Sequence, residues 1–141
     1  MAIQLIPYGR DHENPPAASQ PAWDSPETRA LVEGACFDCH SHETRWPWYS
    51  HIAPFSWLIQ RDVMEGRAEL NFSTSDDESE LDDLAESIRD ERMPPDRYRL
   101  LHPTARLTEA EKDELLAGLE KTFGSELGSE EDEDETDDED D

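Results

Sequence analysis

Lysine is nearly missing from this chain: two residues, Lys112 and Lys121, stand against ten arginines. Cysteine is equally scarce, with only Cys36 and Cys39. No apolar run approaches the roughly 20 residues that a membrane-spanning helix needs. The opening "MAIQLIPYGR" lacks the basic and apolar regions of an export signal. Basic residues are too few to offset the acids, and the formal charge is -25 over 141 residues. A nucleic-acid ligand is therefore not expected, because such binding uses a basic face to displace counterions. An acid-rich, lysine-poor surface is one way to remain soluble in high salt, which makes a halophilic source an expectation.

Much of the acid is local. From Ser125 onward, "SELGSEEDEDETDDEDD" holds twelve acidic residues and no base. Such a run repels itself and has almost nothing apolar to bury, so residues 125–141 are expected to be a disordered acidic tail. The preceding part is still acidic, with 25 acids against 12 bases. Hydrophobic residues make up 34% of the chain. A core that thin in a small domain calls for a disulfide, a metal or a cofactor as a staple.

Residues 1–22 contain Pro7, Pro15, Pro16 and Pro21 and read as an extended arm. In "SPETRALVEGA", Ser25 suits an N-cap, Pro26 the first helical position and Glu27 the positive helix end. A second helix is expected from about 55 to 69, with Trp57, Leu58, Val63 and Met64 as its apolar residues. A third places Leu81, Leu84, Ala85 and Ile88 on one face and stops at Pro94-Pro95. "DRYRLLHPTAR" reads as irregular. The last helix opens with Thr108 and Glu111 in capping-box spacing and carries Leu115, Leu116, Leu119 and Phe123. No strand alternation or repeat stands out. The expectation is an all-α domain of about four short helices with long loops, over residues 23–124.

The reactive side chains crowd into "EGACFDCHSHETRWPWYSH". A redox disulfide between Cys36 and Cys39 would normally sit in a βαβ pattern, which is lacking. A zinc-stapled module would need two further ligands from His40, His42, His51 or His102, and no regularly spaced second pair exists. C-x-x-C-H, here Cys36-Phe37-Asp38-Cys39-His40, is the attachment signature of c-type haem. Residues three apart share one side of a helical turn, so both thiols can face one edge of the macrocycle, with His40 as iron ligand. This reading is preferred.

Met93 is the expected sixth ligand, since it follows an amphipathic helix and is held extended by Pro94. Met64 is expected to pack in the core. His51 is a weaker candidate ligand than Met93. His42 lies too close to His40, His102 stands in a flexible stretch, and His12 has no expected role. Trp46, Trp48 and Tyr49 are expected either to wall the haem edge, with Arg45 near a propionate, or to form the domain core.

"ACFDCHSHETRWPWYSHIAPFSWLI", "EGRAELNFS", "RMPP" and "LHPTARLTEAEKDEL" together resemble the single-CxxCH haem-binding domain family, from about Ile3 to Phe123. The order of motifs is more distantly similar to small monohaem cytochromes c. The resemblance implies thioether links at Cys36 and Cys39, His40 as proximal ligand and, by analogy with cytochromes c, Met93 as distal ligand. It implies one covalently attached haem c and an extracytoplasmic site, either periplasmic or on the outer face of the cell membrane. Members typically carry an N-terminal membrane anchor ahead of a segment like "IQLIPYGRDHENPP", so Met1-Ala2 is expected to replace one. The expected activity is electron transfer rather than catalysis, with an unknown redox partner for which the acidic surface suggests a basic face. The alternative is an enzyme or sensor with an open sixth site, such as a peroxidase or gas detector.

Overall fold

A computed structural model describes residues 2–74 and 81–124. The expected acidic tail and residues 75–80 of the polar connection lie outside the described residues. The described part is all-helical, with no strand among its residues. Six α-helices occur in the order α1 (Pro26–Ala35), α2 (Phe37–His40), α3 (Phe55–Glu69), α4 (Leu81–Arg89), α5 (Asp96–Leu101) and α6 (Glu109–Phe123). Single 3-10 turns fall at Ala2–Leu5, Trp48–His51 and Pro103–Ala105.

The helix starts follow local chemistry. The Ser25 side chain accepts from the Thr28 amide, and Pro26 opens α1 without a lost donor. Thr108 and Glu111 form a full capping box on α6: the Glu111 amide donates to the Thr108 hydroxyl, and the Thr108 amide donates to the Glu111 carboxylate. These amide and hydroxyl donors hold the Glu111 carboxyl below its usual range.

The count exceeds the sequence expectation by two short helices. One is α2, the C-x-x-C-H segment itself. The other is α5, inside the stretch read as irregular. Its six residues bury no side chain and leave Leu100 and Leu101 exposed, so no periodic apolar face marks it.

Helix α1 packs on α6 and α2 on α3. Both contacts depend on a missing side chain. A Cβ on Gly118 would lie 2.8 Å from the Thr28 Cβ, and one on Gly66 would lie 2.5 Å from the Cys39 carbonyl oxygen. The core gathers Val32 from α1, Phe37 from α2, Phe72, Ile88 from α4, and Leu115 and Leu119 from α6. Trp23, Phe37, Phe72 and Phe123 meet there with ring centroids 5.6–6.4 Å apart.

The N-terminal arm lies along the domain. The Gln4 side chain donates to the Ala53 carbonyl at 2.7 Å and accepts from its amide at 3.2 Å. The Arg67 guanidinium donates to Glu13 O, Asn14 Oδ1, Ser41 O and Thr44 Oγ1, tying the arm to the turn after α2.

Candidate cofactor site

Helix α2 is one turn long and follows α1 with only Cys36 between them. Its His40 is fixed by the last turn of α3. The His40 Nδ1 lies 2.8 Å from Gly66 O and 3.0 Å from Leu70 O. Carbonyls only accept, so Nδ1 carries the proton and Nε2 of the neutral ring keeps its lone pair. That tautomer is the one a metal-binding histidine uses, with its second nitrogen oriented by a backbone carbonyl. The Phe72 amide donates to the His40 carbonyl at 2.8 Å, so ring and backbone are both held.

Cys36, Cys39 and His40 line a cavity of about 190 Å³. Leu84 and Ile88 of α4, Leu107, and Leu115 of α6 give it an apolar wall, and the Met93-Pro94-Pro95 turn closes another side. Asp62, Glu65, Glu69 and Arg97 are its charged lining residues. A second hollow of about 270 Å³ adjoins it and shares His40, Glu69, Leu84 and Met93. The sequence-predicted Cys36, Cys39, His40 and Met93 are therefore brought to one space although more than fifty residues separate Met93 from His40.

Both cysteines are free thiols. Burial pushes the Cys36 thiol up to about 12, with the neighbouring Cys39 adding to it. Burial does the same for Cys39, also to about 12, helped by Asp62 and Asp38 and opposed by Arg97 and Arg67. Burial thus favours the protonated thiol at both positions. Among the described residues, no three His, Cys, Asp or Glu side chains gather as a metal-ion site.

The other expected positions lie elsewhere. Trp46, Trp48 and Arg45 do not line the cavity. Trp46 stacks on His12 at 4.6 Å and donates to Asn14 Oδ1, so the arm covers it. Trp48 is 75% exposed. The aromatic loop supplies none of the buried core cluster, whose aromatics are Phe37 and Phe72 with Trp23 packed against them. Arg45 pairs with Asp38 at 3.2 Å and lines a small hollow that shares Cys39, Asp62 and Tyr98 with the cavity. Met64 corrects the core expectation: it is 56% exposed, because α3 buries Ser56, Val63 and Gly66 and one residue further points away. His42 contacts the Pro16 carbonyl and Asn71, and His102 shares a hydrogen bond with the Tyr49 hydroxyl at 2.9 Å. His51 meets the edge of the His12 ring at 4.4 Å. His12, expected to do nothing, is a packing residue of the arm.

Sequence reasoning missed Gly66, Leu70, Asp38 and Tyr98. The first two act through backbone carbonyls, which any residue type carries. The last two meet across 60 positions, where Tyr98 Oη donates to Asp38 Oδ2 at 2.5 Å.

The cavity thus gathers two free thiols, an imidazole with one nitrogen oriented by backbone carbonyls, and Met93 within an all-helical domain. The chain belongs to the haem-binding domain family, whose profile matches residues 1–121. It is also similar to the cytochrome c peroxidase Ccp of Escherichia coli strain K12, 29% identical over 100 residues. That match covers 64% of this chain and 22% of the peroxidase, so the chain spans about a fifth of that relative's length. No solved structure matches it.

Proposed function

We propose that the chain carries one haem c and acts as an electron-transfer module. Cys36 and Cys39 are the thioether attachment points, His40 Nε2 is the proximal iron ligand and the Met93 sulfur is the distal one. The observation that carries this reading is the His40 ring, whose Nδ1 proton is engaged by Gly66 O and Leu70 O within a cavity that both thiols and Met93 also line. When bound, the haem iron supplies one-electron chemistry.

The residues of the chain set the conditions for it. The α3 carbonyls fix the imidazole tautomer and strengthen its donor power. Leu84, Ile88, Leu107 and Leu115 keep water from the enclosed side, which limits solvent reorganisation. Pro94, which is buried, and Pro95 stiffen the turn that presents Met93. Sulfur ligation raises the reduction potential relative to nitrogen ligation. The net charge of -25 favours a partner with a basic surface. Extracytoplasmic residence, expected from the family, fits such a module.

A second reading is peroxidase chemistry at an open sixth position, favoured by the named relative. Protein produced with export and haem-attachment machinery separates the two. Sulfur ligation gives the oxidised form a weak absorption near the far red and slows carbon monoxide binding to the reduced form. Met93→Ala is expected to abolish that band and permit fast carbon monoxide binding. An unchanged spectrum in Met93→Ala, or rapid peroxide turnover by the parent protein, favours the open-site reading.

A further inference from the structure

Asp38 is the second spacer residue of the C-x-x-C-H segment and is only 6% exposed. A carboxylate so buried needs donors. Its Oδ1 accepts from the Arg45 amide at 2.9 Å and from Arg45 Nε at 3.2 Å. Its Oδ2 accepts from Tyr98 Oη at 2.5 Å and, more weakly, from Arg45 Nη2 at 3.4 Å. Tyr98 is fixed in turn: its ring stacks on His102 at 4.1 Å with 10° between the planes, and His102 is held by Tyr49. Tyr98 also lines the cofactor cavity, and the hollow beside it is lined by Asp38, Cys39 and Tyr98. The carboxylate is thus set one residue from an attachment cysteine and two from the iron ligand.

Its charge is poorly balanced. The Arg45 side chain is 63% exposed, so water screens the cation far more than it screens the carboxylate. Asp62, one of the acids lining the cavity, is likewise bound by Nε and Nη2 of a largely exposed arginine, Arg97, but its side chain is 25% exposed against 8% for Asp38. A buried negative charge stabilises the more positive state of a neighbouring redox centre.

Resting on the haem reading above, we propose that Asp38 is a positioning residue whose buried carboxylate, clamped by Arg45 and Tyr98, holds down the reduction potential of the cofactor at Cys36, Cys39 and His40. Tyr98 spreads the carboxylate's charge through a short hydrogen bond. Arg45 offsets part of it from the solvent side.

The test is redox titration of the matured holoprotein and three variants, each first checked for one haem per chain and parent-like ligation by its visible spectrum. Asp38→Asn is expected to raise the midpoint potential. Arg45→Gln and Tyr98→Phe are expected to lower it. Raising the salt concentration should shrink the Arg45→Gln shift and leave the Asp38→Asn shift largely intact, since only the former group is solvent-exposed. A potential unmoved or lowered in Asp38→Asn overturns the proposal. So does one shared direction for all three variants, which would assign the clamp a packing role alone. If Asp38→Asn does not fold, Arg45→Gln decides: an unchanged or raised potential contradicts the proposal. Parent protein that takes up no haem instead overturns the haem reading on which this rests.

Discussion

His40 shows how backbone carbonyls fix the tautomer and orientation of a single side chain. Its Nδ1–H donates to two carbonyls at the end of α3, which leaves the Nε2 lone pair free. The cysteines beside it are prepared in the opposite sense, since burial keeps both thiols protonated. This has a consequence for the cofactor-free protein. Both folded values, about 12, lie above the ordinary thiol value of 9.0, so the folded state binds protons more tightly than the unfolded chain. That contribution to stability is complete below about pH 9 and is lost as pH rises towards 12. Denaturant titrations of the apo-protein should show the midpoint falling through this window. Cys36→Ser/Cys39→Ser protein, having no thiols, should lose less over the same interval, and equal losses would contradict the burial argument.

At this scale the sequence was readable where chemistry is carried by residue type. C-x-x-C-H and Met93 stood out by residue type, and they line one cavity. The Asp38–Tyr98 bond did not stand out, because an aspartate and a tyrosine 60 positions apart carry no pairing signal. Met64 misleads because it sits beside Val63 in an apolar pair, of which the helix can bury only one member.

Among elements, starts were more legible than faces. Ser25 and the Thr108–Glu111 box fix the beginnings of α1 and α6 by side-chain chemistry close in sequence. Helix α3 spans Phe55–Glu69, as its apolar spacing and the preceding proline indicate. Helix α5 escaped because it is held by contacts other than a buried stripe: Arg106 donates to the Arg99 and Leu100 carbonyls near its end, and Arg97 pairs with Asp62 of α3. The close approach of helices was not readable from either glycine alone. Gly118→Ala should drive its methyl into Thr28 and separate α1 from α6, costing about 1–3 kcal/mol by chemical denaturation. Gly66→Ala presses on Cys39 instead, so it should also lower haem incorporation, which Gly118→Ala at equal stability should not. Equal haem yields for the two variants would show that the α2–α3 contact does not shape the site.

Over the whole molecule, charge and a thin core set the balance. The chain has 37 acidic residues against 12 basic ones, and self-repulsion opposes the compact state. Raising KCl shortens the Debye length to about 3 Å at 1 M and should raise the unfolding midpoint, with most of the gain at low salt. A midpoint independent of salt would remove the argument from acidity. The cofactor acts on the same balance from inside. Ile88 and Leu115 belong both to the buried cluster and to the cavity wall, so filling the cavity completes the core. The composition pointed to such a staple, and membership of the haem-binding domain family agrees with one. That the arm lies along the domain was hidden, because Gln4, Asn14 and Arg67 act on distant backbone groups.

The most direct test of a covalent haem at Cys36 and Cys39 is the intact mass of denatured, matured protein, taken with its pyridine haemochrome spectrum. The parent chain should retain one haem through denaturation and show a spectrum of two saturated thioether links. Cys36→Ala/Cys39→Ala protein should release any pigment it binds. A parent chain that weighs no more than its polypeptide after maturation, with no haemochrome bands, would contradict the account.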